Sequence, residues 1–147
     1  MDFDLRHDPG SDCCHLRIAG TLRLADYQQA FRDAWRRPEY TGAACALWDF
    51  SAATTRLGKD DIKALQRLVR DGSVPTPARA AALAAQSLAD FTRRERPPRL
   101  PPRVALVAVT DVDFGMMRVY AGHVAFEDVE TLVFRAADDA LRWLLGA

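Results

Sequence analysis

Hydrophobic and polar residues alternate at the start of the chain, where Phe3, Leu5 and His7 interleave with Asp2, Asp4 and Arg6. A period of two sends successive side chains to opposite faces, so this stretch predicts a strand with one wet face. Asp8-Pro9-Gly10-Ser11 follows and has turn chemistry, since Pro presets φ and Gly tolerates positive φ. Cys14, Leu16 and Ile18 then alternate with His15 and Arg17 up to Gly20-Thr21, which predicts a second strand and an antiparallel hairpin. Beyond it the period changes. Asp26 stands as the N-cap of a helix in which Tyr27, Ala30, Phe31, Ala34 and Trp35 fall at helical spacing, with Pro38 closing it.

The run from Ala43 to Phe50 is apolar almost throughout, and Val104–Val109 is a second such run. Continuous apolarity over a strand's length suits a parallel sheet covered on both faces. Between them, Asp60 or Asp61 begins a helix with Ile62, Leu65, Leu68 and Val69 on one face. Thr76-Pro77 has the form of an N-cap followed by Pro at the first helical position. It opens an Ala-rich helix running to about Arg96, with Leu83, Leu88 and Phe91 as its larger apolar residues. Pro97, Pro98, Pro101 and Pro102 then forbid helix and favour an extended connector. Asp111 and Asp113 offer caps for a helix from Phe114 to Val124, Val129–Arg135 reads as a last strand, and Ala136–Leu144 as a last helix. The order ββαβααβαβα predicts an α/β domain whose mixed five-stranded sheet has helices packed on it.

The chain's 147 residues suit a single domain, residues 1–147, large enough to hold a core without disulfide or metal. Residues 73–102, rich in Ala and Pro, read as an insertion within it. Lys+Arg and Asp+Glu each number 20, and this balance argues against a dedicated nucleic-acid binder. Lys59 and Lys63 are the only lysines against 18 arginines, a bias typical of GC-rich bacterial genomes. The acidic start MDFDLRHDPG has no apolar core of a secretory signal, and no apolar run is long enough to span a membrane. Three cysteines, two of them adjacent, make a poor disulfide framework. A cytoplasmic location follows as the expectation.

Three stretches carry a resemblance. They are Leu47-Trp48-Asp49-Phe50-Ser51; Arg103–Val109 followed by Phe114-Gly115-Met116-Met117-Arg118-Val119-Tyr120; and Val133-Phe134-Arg135 with Ala140-Leu141-Arg142-Trp143-Leu144. Together they resemble the SpoIIAA-like family of small bacterial proteins in the STAS superfamily, whose fold is also related to lipid-carrying CRAL-TRIO domains. The resemblance covers nearly the whole chain apart from the region around Ser73–Pro102. It implies a STAS-like single domain and a regulatory or binding role. In STAS-type anti-sigma-factor antagonists a phosphorylated serine lies shortly beyond the aspartate that ends the central strand. Counting onward from Asp49 reaches Leu57-Gly58-Lys59, without Ser or Thr, and the nearest hydroxyls are Thr54 and Thr55.

His7, Cys13, Cys14 and His15 include zinc-ligand types, but adjacent cysteines on a strand point to opposite faces. Burial of Cys14 beside an exposed His15 is the expected arrangement, and no metal or cofactor site is expected. Cys45 lies mid-strand, where a buried thiol stays protonated. No nucleophile elbow, P-loop or dinucleotide fingerprint occurs. Asp111 and Asp113 would occupy the positive end of their own helix and repel a phosphate. Arg93-Arg94-Glu95-Arg96 with Arg99 and Arg103 forms a local basic patch, which reads as a solvated face. The Phe114–Val124 helix carries two apolar stripes, one of Phe114, Met117, Ala121 and Val124 and one of Met116, Val119 and Tyr120. This exceeds what one sheet contact needs. The expectation is a non-enzymatic binding module that presents this helix to a hydrophobic or lipid-like ligand, a membrane surface, a partner or a second copy in a homodimer. Its site residues would be Phe114, Met116, Met117, Arg118 and Tyr120, with Asp49, paired to Arg56 or Arg118, fixing a polar headgroup. The alternatives are a protein–protein interaction or phosphoswitch module using Thr54 or Thr55, and a small enzyme using Asp49 with His123 or Cys45.

Overall fold

A computed structural model describes residues 1–69, 77–126 and 128–146. Among these the chain is an α/β structure of five strands and six helices. Strands β1 (Asp2–Asp8) and β2 (Cys13–Leu22) form the antiparallel hairpin, with Leu5 opposite Leu16. The turn is held by the Asp8 carboxylate, which accepts from the Gly10 N–H (3.1 Å) and the Ser11 hydroxyl (2.7 Å). β2 does not stop at Gly20-Thr21 but continues to Leu22. Gly20 stays in the strand at φ +104°, a conformation that only glycine adopts without strain, and the pairing with the next strand slips just before it.

Helix α1 (Leu24–Trp35) starts earlier than its acidic residue suggested. Arg23 is the N-cap, and Asp26 sits three residues on, its carboxylate accepting from the Arg23 N–H at 2.8 Å. Asp26 is thus the reciprocal half of a capping box rather than the cap itself. Pro38 opens a one-turn helix, α2 (Pro38–Thr41), adding an element to the expected order. Strand β3 (Cys45–Thr55) is longer than its apolar run and is followed by α3 (Lys59–Val69), α4 (Pro77–Glu95) and β4 (Arg103–Val107). The chain closes with α5 (Asp111–His123), β5 (Glu130–Phe134) and α6 (Ala137–Leu145). Thr76, the expected cap of α4, lies outside the described residues, as do the side chains of Ile62, Leu65, Leu68 and Val69.

The strands lie in sequence order β1-β2-β3-β4-β5, all parallel except β1. Right-handed crossovers that always step the same way put their helices on one face of the sheet. On that face α1, α4 and α5 cover Leu16, Ile18, Ala46, Trp48, Phe50, Val104 and Leu106, which form the main core. The last helix crosses to the other face, where Ala140 and Leu144 of α6 cover Cys13, Cys45, Leu47, Ala105 and Val107. β3 is therefore apolar on both sides for most of its length, as its sequence implied.

The Ala-rich region read as an insertion contributes to the main core. Ala84, Ala85, Leu88 and Ala89 of α4 are buried, Phe91 stacks on Trp35 at 5.6 Å, and Pro101 is buried in the connector. Arg32 of α1 grips Glu95 of α4 through two N–H donors, both 2.9 Å from carboxylate oxygens. The Arg32 hydrogen bonds hold the Glu95 carboxyl below its ordinary value of 4.5. Because its pKa is lower folded than unfolded, the contribution is complete above pH 4.5 and is lost as pH falls through the folded value. Chemical denaturation at a series of pH values should show the Glu95→Gln variant losing less stability between neutral and acid pH than the parent.

Candidate functional site

Thr110, three residues beyond β4, caps α5: its hydroxyl oxygen accepts from the Asp113 N–H at 3.2 Å. The expected caps Asp111 and Asp113 are instead in the first turn. Asp113 is buried and accepts from the Thr110 hydroxyl at 2.7 Å, while exposed Asp111 pairs with Arg135 at 2.9 Å. Two carboxylates thus complement the helix dipole from within the chain.

Most of α5 is core. Met116, Met117, Tyr120 and Val124 are buried, and Phe114 is half-buried. The two stripes have two partners, the sheet on one side and α4 on the other. Tyr120 shows the second contact: its hydroxyl is 3.1 Å from that of Thr92 on α4, and its ring stacks on Phe31 at 5.7 Å. Burial pushes its phenol up to about 12. Phe114 lies under the Arg135 guanidinium, 4.2 Å from the ring centroid, with exposed Arg118 at 5.9 Å.

Asp49 does not join these residues. Alternation along β3 puts it with Cys45 and Leu47 on the α6 face, opposite Trp48 and hence opposite α5. Its Oδ1 accepts from the Ser51 N–H at 2.9 Å, and it forms no ion pair with Arg56 or Arg118. It lines a shallow polar depression with Asp4, Arg6, His15 and Arg17. Cys45 is four residues away on the same strand, about 13 Å along it at about 3.3 Å per residue, beyond any direct contact. His123 is on α5, across the sheet. The proposed catalytic partners are not brought together.

The thiols are structural. Cys13 faces α6, while Cys14 faces the main core and donates to the Glu39 carbonyl at 3.0 Å. Burial pushes the Cys14 thiol up to about 11 and the Cys13 thiol higher still, which keeps both protonated. His7 instead bonds Asp12 at 2.7 Å. Among the described residues no three His, Cys, Asp or Glu side chains cluster as a metal site. Thr55 shares a 2.5 Å hydrogen bond with the Tyr27 hydroxyl, and Thr54 is exposed on the same strand rather than in a loop.

Two of the spaces beside α5 bear on the expected ligand site. One is a small, partly open cleft among Phe31, Trp35, Tyr40, Trp48, Tyr120 and Val124, with a volume of about 40 Å³. That has the size of only a few waters, far below the roughly 300–1,000 Å³ of small-molecule sites. The aromatic set around it was not foreseen as a unit, although Phe31 and Trp35 already shared one helical face in the sequence. The other is an open groove of about 470 Å³ where α4 and α5 meet, lined by Ala78, Ala81, Ala82, Val112, Gly115, Met116 and Val119 with Asp111 at its rim. Val112 is 56% exposed, and a Cβ built on Gly115 meets nothing within 4 Å. Of the expected site residues only Met116 touches this groove.

No protein-family model matches the chain, and no curated protein matches its sequence. Among the described residues no helix is long and apolar enough to cross a membrane.

Proposed function

We propose that this chain is a non-enzymatic binding module that receives an apolar helix of a partner protein in the α4–α5 groove. The observation that carries this reading is the groove's shape and chemistry: small Ala and Gly residues floor it, Val112 and Val119 stand along it, and it is open to solvent. An open groove between two helices contacts one side of its occupant, which suits the anchors at i, i+3, i+4 and i+7 of an amphipathic helix. A carrier that must enclose a lipid needs an interior volume that the 40 Å³ cleft does not supply. The STAS-type reading, which carries a regulatory or binding role, is supported by the mixed five-stranded sheet with helices on both faces. An aliphatic ligand lying in the groove is the second reading, favoured by a volume within the small-molecule range.

Titration of the ¹⁵N-labelled chain with a synthetic Leu/Gln amphipathic helical peptide, and separately with decanoate, tests both. Shifts centred on Val112, Gly115 and Ala82 with the peptide, abolished in Val112→Asp, support the partner-helix reading. The same pattern with decanoate alone supports the ligand reading. Shifts elsewhere, or none with either probe, overturn the groove as the site.

A further inference from the structure

The two edges of the sheet are built differently. β1 turns Asp2, Asp4, Arg6 and Asp8 to solvent, and charges along an edge discourage further pairing. β5 carries no Lys, Pro or bulge, and its central residue, Leu132, is 41% exposed. Among the described residues no strand lies beyond it. The Glu130 N–H donates to the Pro102 carbonyl at 2.8 Å, and the Phe134 carbonyl accepts from the Ala108 N–H at 3.0 Å. Residues 130 and 134 therefore turn their backbone groups inward. By alternation Thr131 and Val133 turn theirs outward.

We propose that this edge binds a second copy of the chain, β5 against β5 antiparallel about a two-fold axis, joining the two five-stranded sheets. Thr131 and Val133 determine the register. Setting Thr131 opposite Val133 of the partner subunit lets both pairs exchange N–H···O bonds, four in all, whereas a shift of two residues keeps only one such pair. Leu132 then meets Leu132 of the partner subunit on the axis, at the closely spaced position without hydrogen bonds. Charge agrees with this direction. Glu130 opens the strand, and Arg135, which pairs with Asp111 of its own copy, follows its end, so antiparallel pairing lays the Glu130 end of one copy beside the Arg135 end of the other. Parallel pairing would put like beside like. An interface whose residues complement themselves is what a two-fold dimer requires.

Light scattering of the full chain across a concentration series is the first test, with a dimer expected. Leu132→Lys puts two ammonium groups on the axis and should leave monomer with an unchanged circular dichroism spectrum. Leu132→Cys covers the case in which the lysine variant does not fold. Incubated with oxidised glutathione, its two axial thiols should lose their hydrogens to the disulfide reagent, releasing two reduced glutathiones and leaving one intersubunit S–S bond. A parent chain monomeric at every concentration overturns the proposal. So does a dimer that survives Leu132→Lys or gives no cross-link through Cys at 132.

Discussion

Replacing Trp48 by alanine is expected to lower stability by about 4 kcal/mol, a fall in Tm of roughly 8–16 °C for a domain of this length. Trp48 is buried at the middle of the central strand, where its indole meets four rings: Phe31 at 4.9 Å, Tyr40 at 5.8 Å, Phe50 at 6.0 Å and Phe3 at 6.4 Å. These come from β1, α1, α2 and β3 itself, so one side chain ties the hairpin, the first crossover and the sheet together. Truncation removes its apolar area from the core and leaves a void that rings on stiff backbones cannot close. The indole N–H also donates to the Tyr40 hydroxyl at 3.0 Å. Tyr40→Phe removes only that acceptor and should cost about 1–3 kcal/mol, the price of an unpaired buried donor. Thermal unfolding of both variants checks the prediction. A Trp48→Ala loss no greater than that of Tyr40→Phe would mean that the cluster rearranges around the gap.

Much of this architecture was legible because the elements that carry it have strong periods. Alternation from Phe3 to Ile18 predicted the hairpin, and the nearly continuous apolar runs around Leu47 and Leu106 predicted parallel strands covered on both sides. The end signals were less legible. Asp26 and Asp113 looked like caps because carboxylates near a helix start often are, but each sits one turn inside and works with Arg23 or Thr110. The weight of α4 was hidden by its composition. Alanine shows helix propensity but little of the size that signals burial, so nothing in the sequence signalled that α4 covers one side of α5, and the second stripe on α5 looked like surplus surface. Asp49 is a different case, because its separation from α5 was readable. Strand alternation sets Asp49 opposite Trp48, and same-handed crossovers put α5 on the Trp48 face. The groove had no such signal, since Val112 and Gly115 acquire meaning only where α4 lies beside them.

Two aspartates placed on α5 should behave in opposite ways. Met117→Asp puts a carboxylate at a fully buried position in the main core, one helical turn after the buried carboxylate of Asp113. Burying such a group costs several kcal/mol whether it ionises or is forced to stay protonated. The loss should exceed about 4 kcal/mol, a large share of the roughly 5–15 kcal/mol that holds a domain together. The expected result is a chain that unfolds at far lower urea concentration or fails to fold at 25 °C. Val112→Asp, five residues earlier and more than half exposed, should change stability by no more than about 0.5 kcal/mol. Any binding lost in Val112→Asp can therefore be assigned to the groove, whereas loss in Met117→Asp reports collapse of the core. Urea titrations of the two variants against the parent decide the point. A Met117→Asp chain as stable as the parent would show that α5 can lift from the sheet and take its buried methionines with it, which would make the helix a movable lid over an apolar ligand.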